Sequence, residues 1–164
     1  MKINSDSKNI DIKQKLYPLL KNNIFHITKY HSYKSIIKDG FIYSNINNKY
    51  SYTIPQSEKS YGRKNNYICL VDLRFVTKDL IEKSLYKYYF YSPFYDSKKY
   101  VFMILSSNIY SDIITQNDLK DNLQYTDMYV PGIECWYPNM LSIKYIKEVI
   151  IVNKKYTISD YIYP

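Results

Sequence analysis

The chain has 164 residues, a length that suits one domain with a real hydrophobic core. It carries 23 basic against 15 acidic residues, a formal charge of +8, placed unevenly: 14 basic and 7 acidic residues in 1–82, 9 and 8 in 83–164. A basic first half draws polyanions and phosphate-bearing ligands. Three glycines, Gly40, Gly62 and Gly132, cannot build a P-loop or a GxGxxG dinucleotide turn.

Tyrosine occurs 22 times and alanine not at all, so a single Tyr, Asn or Lys carries little functional weight. Cys69 and Cys135 form no CxxC and no His/Cys cluster, which argues against a structural metal and for reduced thiols in a cytoplasmic setting. The N-terminal MKINSDSKNIDIKQ has no apolar core for a signal peptide, and apolar runs are far too short for a membrane span.

In chain order, IDIKQKLYPLL places Ile12, Leu16, Leu19 and Leu20 on one helical face, with Pro18 near its end. NIFHIT reads as a short strand. HSYKSIIKDG reads as a helix with Ser32 as cap, Ile36 and Ile37 toward the core and Gly40 as the stop. FIYS resumes in extended form. Residues 45–66 are polar and read as a mobile binding loop within a single domain spanning 1–164.

YICLVDLRF is the strongest strand signal, and a helical pattern follows from Thr77 to Tyr89. KYVFMILSS is a buried strand. NIYSDIITQNDLKDNL predicts a helix or two broken turns. VPGIECWYPNM is a turn entering a strand. LSIKYIKEVIIVN predicts a short helix or turn feeding a last strand, Glu148 to Val152, and TISDYIYP adds an edge strand. The elements make an α+β protein without the strand–helix–strand rhythm of a doubly wound fold.

Few residues have the chemistry for a site. Alternation puts His26 and Thr28 on one face of their strand, opposite Phe25 and Ile27. That is either a satisfied polar patch or a group for a ribose or phosphate. His31 falls in the turn that opens the helix. Among four glutamates, Glu134 alone sits in an apolar setting, between Ile133 and Cys135-Trp136-Tyr137. Such a carboxylate either lies at a cleft or pairs with a lysine or arginine. It can act as a general base or stabilise an oxocarbenium-like state. Arg63, with Tyr61, lies in SEKSYGRKNN, where its fork suits a phosphate. Arg74 shares a face with Asp72, which predicts a local ion pair. Trp136 and Tyr61 offer rings for stacking.

The block FHITKYHSYKSIIKDGFI resembles the opening of ADP-ribosyltransferase-fold proteins, nearest the DNA-targeting ADP-ribosyltransferase toxins and more distantly the RNA 2'-phosphotransferases. The resemblance runs through Phe25, His26, Thr28, Tyr33, Ile36, Ile37, Gly40 and Phe41-Ile42. GIECWYPNMLSIKYIKEVIIVN is similar to the family's end block, and Glu134 falls where the toxins keep their catalytic glutamate. The stretch between departs from the family pattern, and two arginines are fewer than the phosphotransferases use.

The resemblance implies split antiparallel β-sheets with short flanking helices around an NAD cleft, with NAD as substrate and no metal. His26 and Glu134 would be catalytic and line one cleft. His26, Thr28, Tyr61, Arg63 and Trp136 would bind NAD. ADP-ribose would pass to a macromolecular acceptor, DNA or RNA among the candidates, in a toxin or defence protein with an antitoxin or protein partner. The alternatives are a non-catalytic nucleotide-, nucleic-acid- or protein-binding domain of the same fold, or a metal-independent ribonuclease toxin.

Overall fold

The computed structural model describes residues 18–44, 47, 59–77, 80, 99–124 and 126–153. Strand β1 (Ile24–Lys29) runs into helix α1 (Tyr30–Asp39) and the short strand β2 (Phe41–Tyr43). One helical turn, α2 (Tyr61–Lys64), precedes β3 (Tyr67–Asp72). Strand β4 (Lys99–Leu105) is followed by a 3-10 segment, Ser107–Asp112. Then come β5 (Glu134–Pro138), β6 (Met140–Ser142), a 3-10 turn at Ile143–Tyr145, and β7 (Ile146–Asn153). The result is an α+β architecture of two antiparallel sheets with short helices: a five-stranded sheet in the order β5-β3-β1-β4-β7, and the pair β2-β6.

The strength of the apolar pattern explains the sheet's centre. Tyr100 to Leu105 form an unbroken run of large side chains, and all six are fully buried. Burying such side chains is worth about 1.5–3 kcal/mol each. Phe25, Phe102, Ile104 and Ile150 face one side of the sheet, joined by Leu20, Leu73 and Ile133. Ile24, Leu70, Val101 and Met103 face the other. That second side is covered by α1 through Tyr33, Ile36 and Ile37, and by the small sheet through Ile42 and Leu141.

Helix α1 ends where expected. Gly40 takes a left-handed φ of 79° and its N–H donates to the Ile36 carbonyl at 2.9 Å. Its start differs from expectation. The helix begins at Tyr30, the N-cap is Lys29, and no side chain caps it. Ser32 therefore lies inside the helix, with its hydroxyl 3.2 Å from His31 Nε2. His31 is the second helical residue, in the turn that opens the helix as expected. The segment after β4 forms the 3-10 helix Ser107–Asp112 and separate turns at 116–122, so the broken-turn alternative is the observed one.

Of the polar stretch 45–66, residues 59–66 are a bridge and a helical turn, with Tyr61, Gly62 and Arg63 buried. Residues 45, 46 and 48–58 lie outside the described residues, as do most of the 10–20 helix, most of Thr77–Tyr89 and the C-terminal tail. Asp72 and Arg74 form the expected pair, Nη2 to Oδ2 at 2.7 Å. Among the described residues no helix is long and apolar enough to cross a membrane.

Candidate functional site

Strand β5 is an edge strand, and its first and third residues face the same way. Those residues are Glu134 and Trp136. The indole Nε1–H of Trp136, which is fully buried, donates to Glu134 Oε1 at 3.0 Å. The second carboxylate oxygen, Oε2, accepts the Val130 N–H at 2.7 Å. The turn before the strand makes this bond possible. Gly132 takes a φ of 75°, and the Glu134 N–H donates to the Val130 carbonyl at 2.9 Å. Glu134 thus grips Val130 through both its main chain and its side chain. Glu134 as a whole residue is 7% exposed. Two N–H donors meet much of what burial of an ionised carboxylate would cost.

Three connecting segments converge on this pair. The first is 59–66. Ser60 caps α2 by accepting the Arg63 N–H at 3.3 Å, and the Tyr61 N–H donates to the Met128 carbonyl at 2.8 Å. Gly62 lies so close to Trp136 that a Cβ there would stand 2.7 Å from Cδ1 and 2.5 Å from Cys69 Sγ. The second is 126–133, which brings the Tyr129 ring edge-on to Trp136 at 6.1 Å. The Tyr61 ring is 5.3 Å from Trp136 on a tilted axis. The third is 113–118, where Ile114 bridges Trp136 and the Gln116 side chain binds the Glu134 turn. A buried carboxylate is therefore bonded to an indole that packs with two tyrosine rings, with buried Arg63 on the turn that supplies one of them.

Cys69 occupies the neighbouring position on β3, opposite Trp136. Burial pushes its thiol well above the usual range, and the Glu134 charge adds to the shift. Burial also raises Cys135, followed by the charge of Asp72. Both are neutral thiols rather than thiolate nucleophiles. Burial raises Tyr61 as well, with Tyr67 and Asp127 adding to it, so its phenol keeps its proton.

His26 and Thr28 are elsewhere. Directly opposed residues on antiparallel strands share a face. Phe25 opposes Val71, and Val71 opposes Glu134, so Phe25 and Glu134 face one side. His26 opposes Met103, on the other side. The expectation that His26 and Glu134 line one cleft is corrected by this register. Thr28 goes with His26, at 3% exposure on the face that α1 covers.

His26 nevertheless touches the same strand. The β1–β3 ladder pairs Ile24 with Asp72 and Phe25 with Val71, and no further pair follows. There the imidazole Nδ1 meets the Cys69 carbonyl at 3.1 Å. A carbonyl only accepts, so Nδ1 carries the proton and Nε2 is the acceptor. Burial lowers the ring's pKa, partly offset by that hydrogen bond, so the neutral ring is favoured. Cys69 therefore stands between the two sequence-predicted residues, its carbonyl on His26 and its thiol beside Glu134.

Of the residues singled out from sequence, the structure gathers Glu134, Trp136 and Tyr61, keeps Arg63 on the adjoining turn, and separates His26 and Thr28. Sequence reasoning missed Gln116 and Tyr129, which carry no local pattern. Gly62 had one signal, its rarity in a chain with three glycines. Among the described residues no group of His, Cys, Asp and Glu is arranged to hold a metal. No family model, no curated protein and no solved structure matches the chain.

Proposed function

We propose that the protein transfers ADP-ribose from NAD to a macromolecular acceptor, with Glu134 as the catalytic carboxylate. One observation carries the reading: a buried carboxylate aimed by two N–H donors, one of them the indole of Trp136, whose ring packs with those of Tyr61 and Tyr129. The nicotinamide of NAD is a cationic ring, which aromatic faces and a carboxylate both attract. As the bond from ribose C1' to nicotinamide breaks, its electron pair leaves with the ring and positive charge moves to the ribose. A preoriented carboxylate is worth most against that developing charge. The acceptor's nucleophile then bonds to C1', and Glu134 takes its proton.

Arg63 supplies the charge for the pyrophosphate. The ADP-ribosyltransferase-like reading of the two sheets belongs to this proposal. So do the DNA or RNA acceptor, favoured by the basic first half, and the toxin or defence role. His26 is reassigned: it orients β3 through the Cys69 carbonyl rather than touching the ribose.

A second reading follows from one feature of the same site. Both Glu134 oxygens already have partners, which suits a non-catalytic domain that binds a nucleotide or a nucleic acid. Nicotinamide release from NAD by the purified protein separates the two. Release that is lost in Glu134→Gln, with the circular dichroism spectrum retained, supports transfer. Binding of NAD without release, read as quenching of the single tryptophan, supports the second reading. Release that survives in Glu134→Gln removes Glu134 from the chemistry.

A further inference from the structure

We infer that Gln116 is the positioning residue for Glu134, an inference that rests on the catalytic reading of that carboxylate. Gln116 makes three hydrogen bonds, each to a main-chain group of the turn that carries Glu134. Its Nε2 donates to the Val130 carbonyl at 2.9 Å and to the Glu134 carbonyl at 2.8 Å. Its Oε1 accepts the Gly132 N–H at 2.8 Å. A carboxamide alone among side chains offers two donors and an acceptor in one plane. Here all three functions go to residues 130, 132 and 134.

The arrangement follows from the edge of the sheet. Ile114 pairs antiparallel with Trp136, N–H to carbonyl at 2.8 Å one way and 2.9 Å the other. An antiparallel ladder continued from that pair would set residue 116 against residue 134. The chain turns at Gln116 instead, so its main chain leaves the ladder. Its side chain takes over and receives the outward carbonyl of Glu134. The same amide reaches around the turn to Val130 and Gly132. Val130 is the residue whose N–H aims Oε2. Gln116 therefore fixes the donor that orients the carboxylate, without touching the carboxylate itself.

Removing the amide takes a bond from the Val130 and Glu134 carbonyls and from the Gly132 N–H at once, leaving the Val130 carbonyl with the Glu134 N–H alone at 2.9 Å and the Ile133 N–H at 3.4 Å. The turn then loses its splint, and Oε2 loses a fixed partner. Oε1 keeps the indole, so the carboxylate pivots about Trp136. Because Trp136 is the single tryptophan of the chain, its emission reports that pivot directly.

The test uses the full chain with Gln116→Met, which keeps the length of the side chain and removes its polar atoms. Tryptophan emission, acrylamide quenching, circular dichroism and nicotinamide release are read on the same samples. The expected result is a red-shifted, more quenchable Trp136 in the folded variant. With it comes a fall of about tenfold or more in turnover, and a KM for NAD within about twofold of the parent, the pattern of a lost transition-state interaction. Unchanged emission and quenching in the folded variant overturn the inference, whatever the turnover. A loss of turnover that only tracks the lost folded fraction overturns it too. If Gln116→Met does not fold, Gln116→Glu gives the same readouts. Its anionic oxygens face the Val130 and Glu134 carbonyls at neutral pH, and mild acidification restores one donor and moves the emission back. Absence of that recovery, against the parent protein over the same pH range, counts against the inference. If the parent protein releases no nicotinamide, the transferase reading fails, while the emission arm still decides whether Gln116 positions Glu134.

Discussion

The indole of Trp136 donates to the carboxylate of Glu134 at 3.0 Å, two residues away on the same face of edge strand β5. A strand places such neighbours side by side, and only a long donor side chain can reach back to the carboxylate. Gly62, Tyr61 and Tyr129 pack around the same indole.

Trp136→Phe tests this bond. Phenylalanine keeps much of the buried ring and removes the donor, leaving Oε1 of a buried carboxylate without it. The expected loss is about 1–3 kcal/mol in urea denaturation followed by circular dichroism. A loss below about 0.5 kcal/mol, the range of an ordinary surface change, would show that the bond does not hold the carboxylate.

Gly62→Ala and Gly40→Ala should destabilise for different reasons. At Gly62 a methyl group meets Cys69 Sγ at 2.5 Å and the Trp136 ring at 2.7 Å. Overpacking of this kind costs about 1–3 kcal/mol and should shift Trp136 emission. At Gly40 nothing lies within 4 Å, and only the φ of 79° opposes a side chain. That cost is about 1–2 kcal/mol, with Trp136 emission unchanged. An unshifted emission maximum in folded Gly62→Ala would contradict the close approach.

His26 should make stability fall on mild acidification. Burial holds its folded pKa below the ordinary value of 6.5, so the unfolded chain binds the proton more readily. The contribution is fully present above pH 6.5 and declines as pH drops from there through the lower folded pKa. Melting temperatures measured across that window should fall with pH, and His26→Gln should flatten the slope while still donating to the Cys69 carbonyl. A slope identical in the two proteins would assign the effect to other groups.

Much of the local structure was legible in the chain. The apolar run Tyr100 to Leu105 reads as a buried strand because no face of it is polar, and burial on both sides is what it receives. Gly40 reads as a helix stop because an αL position favours a residue without Cβ, and it sits at φ 79°. Asp72 and Arg74 read as a pair on one strand; they bond at 2.7 Å, although β3 ends at Asp72 and Arg74 lies in the bend beyond it. The apolar neighbourhood of Glu134 read as a demand for a cleft or a cationic partner, whereas the structure gives its oxygens the neutral N–H donors of Val130 and Trp136.

The sequence by itself determined these strand and turn identities, and on which side of its own strand each residue lies. It put His26 with Thr28, and that pairing holds; the pairing of Glu134 with Trp136 came from the structure. Whether the two pairs face each other was decided only in the tertiary structure. The side-chain period of a strand is two, so a one-residue shift in register between strands moves an entire set to the opposite face. The pairings Phe25 with Val71 and Val71 with Glu134 settle the matter, and they place His26 behind the sheet from Glu134. Gln116 was beyond sequence reasoning for the same reason. Its amide matters only because Ile114 pairs with Trp136 and brings it against the turn from Val130 to Glu134.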